Sequence, residues 1–505
     1  MGLLVRQNKA GALFKPLAQR AGRASPASGR PPAASSERVI SAPGGCALAF
    51  AGVYLFTLFL YARPGELFPE IFGALPIAKT IALSTPLIYF LSKLGRGERM
   101  MIWPLELKMA ALIGFLGLLL APIAVSRQDS FDLLFGVYLK LLITFALLIN
   151  LTDTRERVRS LMVLILICCS WLAADTIRAF LAGDFYDKSG GVGRIEGVVG
   201  GLFSNPNDRA TLFDMLLPLA VVLGLIRRGF WSLIYFALAA LFAAGVIASF
   251  SRGGFLGLIA TTGLLLWKFR RRNRLIPWVV GALLVAFLAL AGSGSYGDRL
   301  MTIFSPNNDK TGSAQGRKMV LGRAVELATR HSLVGLGMGN FHIYSYRELR
   351  AHNAYLEIAA ELGFVGLLAY LIMLFAPIRS LIRVERESFD RRQKSAREIY
   401  YLSIGLQGTF LAYLICSFFS SIQYDWYIYH PIVFAIALRR ITQFEAQSVE
   451  ESLDTGPAGE TSPEQNRSRG ALWRPPRVAR IFKKRRIKPG GPKATTALGQ
   501  RGDGG

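Results

Sequence analysis

Apolar runs separated by short charged or Pro/Gly-containing breaks set the pattern of this chain. A helix needs about 20 apolar residues to cross the hydrocarbon core of a bilayer. Runs of that order centre on Cys46–Ala62, Leu75–Leu91, Ala110–Val125, Leu133–Leu151, Leu161–Leu181, Ala210–Ile226, Trp231–Phe250, Phe255–Phe269, Leu275–Ala291, Phe364–Leu381, Tyr400–Ser420 and Tyr427–Leu438. The pattern predicts an all-α, polytopic transmembrane helix bundle of about 12 spans, with the second and last runs the weakest and roughly ten to twelve the range. One long segment between runs, 293–362, is not a linker by composition. It contains an amphipathic helical stretch, Ala314–Arg330, with Met319, Val320, Ala324, Leu327 and Ala328 on one side and Arg317 and Arg323 on the polar side. A shorter Gly-rich loop, 184–208, precedes the sixth run.

Charge fixes the expected direction of the bundle. Basic residues gather in alternate connections: Lys93, Arg96, Arg99 and Lys108; Arg155, Arg157 and Arg159; Arg227 and Arg228; Lys268 to Arg274; Arg379 to Arg397; and Arg439 with Arg440. By the positive-inside bias these connections and both tails are cytoplasmic, and loops 184–208 and 293–362 lie on the outer face. The expected organisation is a basic disordered tail over 1–43, a membrane domain over 44–445 and a second basic disordered tail over 446–505. The net charge of +26 alone would also fit a nucleic-acid partner, but its placement in short loops and tails fits anionic lipid headgroups. With 52% hydrophobic and 18% charged residues, the chain does not read as a soluble protein. No short apolar core near the start marks a cleaved signal peptide. The four cysteines fall in apolar runs and form no Cys-x-x-Cys pair, so they read as small hydrophobes.

Candidate chemistry concentrates in residues 331–375, which hold His331, His342 and His352, three of the four histidines. Their separations match no local metal-ligand spacing, so no metal site is expected. Gly335, Gly337 and Gly339 lack the third glycine of a dinucleotide fingerprint, where Asn340 stands, and read as a tight turn against Phe341. In the helical run from Ala351, Asn353, Glu357 and Glu361 are i, i+4 neighbours on one face with His352 beside it. That face fits either a solvated interfacial helix or a functional site. Arg252, followed by Gly253 and Gly254, fits an interfacial anchor or a phosphate contact made by guanidinium and backbone amides together. Arg209, at the mouth of the sixth run, is a similar candidate.

Four local patterns bring the chain to a known family. These are Arg63-Pro-Gly-Glu-Leu67 after the first run, Ser204-Asn-Pro-Asn207, Ser251-Arg-Gly253, and His352-Asn353 followed by Gly363-x-x-Gly366. Over most of 46–440 the chain resembles the O-antigen ligase and O-antigen polymerase superfamily of bacterial envelope glycan enzymes. It departs from the pattern at Ser332, where many members have proline before the glycines, and at Leu321, where an aromatic residue is common.

The resemblance implies a membrane glycosyltransferase of the bacterial inner membrane. It would move a glycan from a polyprenyl (undecaprenyl) diphosphate carrier to an acceptor hydroxyl on the periplasmic face, without metal or soluble cofactor. The acceptor, a lipid, a protein or another glycan, decides between ligase and polymerase, and both remain open. In this reading His352 is the general base, a histidine's ordinary pKa of about 6.5 suiting proton removal near neutral pH. Arg252, with Arg209 and Arg317, stabilises the departing diphosphate, and Asn353 and Glu361 orient the histidine or hold sugar hydroxyls. The rival reading is a transporter or flippase of the same lipid-linked glycan, for which ionisable residues along a central cavity and related halves would be expected.

Overall fold

A bilayer offers no hydrogen-bond partner to free backbone groups, so long apolar runs close their own bonds as helices. The computed structural model describes residues 45–73, 77–184, 205–270, 313–390 and 394–454, all within the unit Pro43–Gly505, and every regular element among the described residues is helical. The long helices are α1 (Ala47–Ala62), α2 (Ile77–Leu94), α3 (Leu105–Leu120), α4 (Arg127–Leu151), α5 (Arg155–Ala182), α6 (Pro206–Ile226), α7 (Phe230–Ala248), α8 (Arg252–Phe269), α9 (Ser313–Arg330), α10 (Ala354–Asp390), α11 (Lys394–Cys416) and α12 (Tyr429–Asp454).

Among the described residues seven helices are long and apolar enough to cross a membrane: α3 with the turn after it, α4, α5, α6, α7, α10 and α11. This is fewer than the expected figure of about 12. Four further expected runs do form helices, but α1 has only 16 residues, and α2, α8 and α12 carry more polar residues, among them Lys79, Pro86 and Lys93 in α2. The expected run Leu275–Ala291 falls outside the described residues, as do the tail 1–43, most of loop 184–208 and the start of the loop 293–362. The closing helix continues to Asp454, into the stretch read from composition as tail.

Helix α6 is the hub. Its spanning window is 94% buried, against 33% for α7, and it packs against α7, α8 and α11. Close approach to α11 depends on Gly408, where an added Cβ would stand 2.8 Å from the Pro218 ring of α6. Small residues let backbones meet where no hydrophobic drive exists between helices in lipid.

Three contacts define one end of the bundle. Asn207 at the start of α6 accepts the Ser251 hydroxyl ahead of α8 at 2.9 Å, Arg209 of α6 donates to Thr176 near the end of α5 at 3.0 Å, and Ala354 at the start of α10 donates to Ser417 after α11 at 2.9 Å. The start of α5, the end of α6 and the start of α11 therefore lie at the other end. Helix α10 is not one straight rod, because Gly363 has φ 70° and ψ −171° and breaks it into a limb at 354–362 and a longer apolar limb. Only glycine adopts this conformation readily.

Candidate active site

The short limb of α10 is capped by Asn353, whose Oδ1 accepts the N–H groups of Tyr355 at 3.1 Å and Leu356 at 3.0 Å. These are donors that a helix start leaves open. One turn further, Glu357 receives the Arg350 guanidinium at 2.9 and 2.8 Å, the Ala351 N–H at 3.0 Å and the Ser421 hydroxyl. Ser421 also accepts the His352 N–H at 3.0 Å. His352 is thus clamped between fixed neighbours, in a left-handed backbone with φ 51° and with its side chain half-buried. A non-glycine residue there carries strain of about 1–3 kcal/mol, which persists only where surrounding contacts over-determine it.

The solvated-face reading of this limb does not hold. Asn353, Glu357 and Glu361 are 6%, 1% and 1% exposed. Glu361 accepts the Tyr424 hydroxyl at 2.8 Å and the Phe341 N–H at 3.2 Å. The partners that bury this face come from distant segments, which helical spacing alone does not reveal.

The glycine run forms the expected turn. Gly337 and Gly339 have φ 98° and 78°, and the N–H groups of Leu336 and Gly337 bond to the carbonyls of Ala360 and Glu361 at 3.0 and 2.9 Å. An added Cβ on Gly335 would lie 2.1 Å from the Glu361 carbonyl, so the turn sits directly on the limb. It brings Phe341 into a small core with Val320, Ala324 and Leu327 of α9. Beyond it, Gly363 presents Phe364 N–H to the Ser332 carbonyl at 2.7 Å.

Arg252 opens α8 and is partly buried. Ser251 caps the helix by accepting the Gly254 N–H at 3.2 Å, and Gly253 lies against Phe419, a Cβ there standing 2.8 Å from the Phe419 Cβ. Cys416 Sγ is 3.6 Å from the Gly253 carbonyl, and Asn353 Nδ2 is 3.5 Å from that of Phe418. The turn at 416–421 is therefore shared: Arg252 and His352 flank it. Arg209, by contrast, is 1% exposed and points toward Thr176 of α5. Arg317 lies on α9, and its side chain is outside the described residues.

The other two histidines of residues 331–375 make local contacts. His331 packs tilted against Tyr344, with ring centres 6.5 Å apart, and His342 Nδ1 is 2.9 Å from the Gly339 carbonyl. Among the described residues no group of three or more His, Cys, Asp or Glu side chains converges as metal ligands would.

Sequence reasoning missed Arg350, Ser421 and Asp425. Burial pushes the Asp425 carboxyl up from 3.8 to about 7, with Arg350 opposing and Glu357 reinforcing the rise. Arg350 loses solvation too, but Glu357, Glu361 and Asp425 hold its guanidinium well above the ordinary value. Asp208, on the first turn of α6, stands in the same field of Asp425 and Arg350. The one signal for Asp425 was a lone carboxylate among aromatics, in Tyr424-Asp-Trp-Tyr427 just ahead of an apolar run.

Stacked apolar helices with a strained histidine, buried carboxylates and arginines gathered at one end define a multi-pass helical membrane protein with a polar site at its helix ends. Residues 236–371 match the model of the O-Antigen ligase family, which this stretch of the chain resembles. The matched stretch runs from α7 into the long limb of α10 and contains Arg252, Arg317, His352, Asn353, Glu357, Glu361 and Gly363, whereas Arg209, Ser421 and Asp425 lie outside it. No curated protein matches the chain.

Proposed function

We propose that this protein is a metal-independent membrane glycosyltransferase, a surface-polysaccharide ligase or polymerase that takes its glycan from undecaprenyl diphosphate. The acceptor oxygen attacks the anomeric carbon while the bond from that carbon to the diphosphate breaks and the electron pair leaves with the lipid carrier. His352 takes the acceptor proton. Arg252 meets the charge that grows on the diphosphate. Arg209, enclosed in the bundle, contributes charge through the interior, and Arg317 joins on the strength of the sequence pattern. Asn353 and Glu361 act by position, one capping the limb and the other tying it to Tyr424 and the glycine turn.

The observation that carries this reading is the clamped, left-handed His352 on the same turn as Arg252. We place this end of the bundle in the periplasm, since the arginine-rich connections at 155–159, 227–228 and 439–440 lie at the other end. A flippase would distribute its ionisable groups along a central path, whereas Arg350, Glu357, Asp425 and His352 are grouped at one end.

The test is a deletion strain complemented with His352→Ala at normal expression level. Surface glycan is expected to fall about 10²- to 10⁴-fold, the range for a lost general base, while the protein remains in the membrane. Full surface glycan in that strain removes His352 from the mechanism. Sizing the intermediates left on the carrier separates the two acceptor classes: long chains indicate a ligase, single repeats a polymerase. Intermediates confined to the cytoplasmic leaflet would instead favour the flippase.

A further inference from the structure

At the end of the bundle opposite His352, a cavity of about 550 Å³ is lined by Arg159, Ile226, Arg227, Arg228, Arg397 and Glu398. Its cations come from three helix ends that are distant in sequence. Arg159 sits early in α5, Arg227 and Arg228 follow the last residue of α6, and Arg397 sits early in α11. The positive ends of the α5 and α11 dipoles thus face the same space as the four guanidinium groups. Compensation is thin. Glu398 is the single carboxylate in the lining and reaches Arg159 only at 3.9 Å, while Arg227 and Arg228 are exposed and make no ion pair among the described residues. Arg397 is steadied over the Tyr401 ring, 5.6 Å from its centre. Next along the chain from Arg228, after Gly229, the apolar Phe230, Trp231 and Leu233 are 72%, 63% and 67% exposed. A tryptophan and a phenylalanine beside arginines at a helix start mark the headgroup level of a bilayer.

We propose that this cavity binds the phosphate of an anionic membrane lipid, with the guanidinium groups on the headgroup and the acyl chains along Phe230, Trp231 and Leu233. Planar guanidinium groups match a phosphodiester in geometry as well as charge. The exposed apolar stretch that follows Arg228 favours a lipid over a free phosphate, which would gain nothing from it. The site stands apart from the glycan chemistry and rests only on the protein lying in a membrane.

The full chain, purified in a neutral detergent, is titrated with phosphatidylglycerol and, separately, phosphatidylcholine, with bound lipid counted by native mass spectrometry. Phosphatidylglycerol is expected to be retained and phosphatidylcholine not. Arg228→Gln with Arg397→Gln should weaken phosphatidylglycerol retention by about thirtyfold, on the scale of one surface cation each. The exposed Arg330→Gln, on α9, serves as the control and should change it little. Glu398→Gln removes the opposing charge and should strengthen retention several-fold, a gain that misfolding cannot mimic. Inorganic phosphate at millimolar concentration should not displace the lipid. Equal retention of both lipids, equal loss in the Arg330 variant, unchanged binding in Glu398→Gln, or displacement by inorganic phosphate would each overturn the proposal.

Discussion

The two ends of the helix bundle are both rich in charge, yet they differ in how much of it they leave facing outward. At the His352 end the carboxylates are buried and bonded several times over: Glu357 and Glu361 are each 1% exposed, and between them they tie Arg350, Ala351, Ser421, Phe341 and Tyr424 together. The backbone there is strained at His352 and broken at Gly363. At the other end some charge is enclosed as well, Glu106 with Arg439 and Arg157 with Asp153, but part-exposed pairs such as Arg155–Glu445 and Arg159–Glu398 stand beside it, and Arg227 and Arg228 face outward. Burial makes charge expensive, so it persists only where a network satisfies it. Exposed charge costs little and sets direction and contact with the membrane surface. The strained backbone among buried carboxylates, more than the amount of charge, sets the His352 end apart.

The sharpest way to break this contrast is Glu357→Ala. It strips the buried carboxylate from Ala351 and Ser421 and frees Arg350, whose side chain is 54% exposed and so recovers part of its loss in water. The expected cost is about 2–4 kcal/mol, read as a lowered melting midpoint in detergent. Transfer should drop by about a hundredfold even where folded protein remains, since His352 loses its clamp. Retained activity would show that the strained backbone is incidental.

Gly363→Ala comes next. A side chain must then adopt φ 70° with its Cβ 3.0 Å from the carbonyls of Ser332 and Leu333. A loss of about 1–3 kcal/mol is expected. Gly316→Ala, a helical position with open space around it, should be neutral or slightly stabilising.

Much of the fold was legible because apolar runs leave a helix little alternative in a bilayer: α3 to α7, α10 and α11 lie on stretches that hydropathy marks out. The turn at Gly335–Gly339 was legible from its glycines alone. Arg350–Glu357 and Glu357–Ser421 were not. The second joins positions far apart in the chain, and nothing in the periodicity around Glu357 distinguishes a face that meets Ser421 from one that meets water. Arg209 shows that position at a helix start does not fix exposure. It begins an apolar run and so looked like a mouth residue, but α6 is the enclosed hub and turns it toward Thr176.

Proton linkage gives a quieter test. Asp425 is partly buried, and its carboxyl is pushed up from 3.8 to about 7. A group raised in this way favours the neutral form in the folded protein. Its penalty is absent below about pH 4, grows as pH climbs toward 7, and levels off beyond that. Asp425→Asn should therefore leave the melting midpoint nearly unchanged at pH 4 and raise it relative to wild type at pH 8. Parallel curves across that range would mean that Asp425 is better solvated than its position implies.

The smallest effect is expected at the anchoring end, and its smallness is the point. Arg155 and Glu445 pair across the starts of α5 and the later part of α12 with side chains 20% and 34% exposed. Water and salt reach both partners, so Arg155→Gln should cost about 0.2–1 kcal/mol and leave transfer unaltered. Raising ionic strength should shrink even that difference, because screening acts on exposed pairs first. The Glu357 carboxylate, its side chain 2% exposed and bonded to Ala351 N–H and the Ser421 hydroxyl as well as to Arg350, should keep most of its effect in the same salt series. If both effects faded together as salt rose, the contrast between the buried Glu357 carboxylate and the part-exposed Arg155–Glu445 pair would collapse.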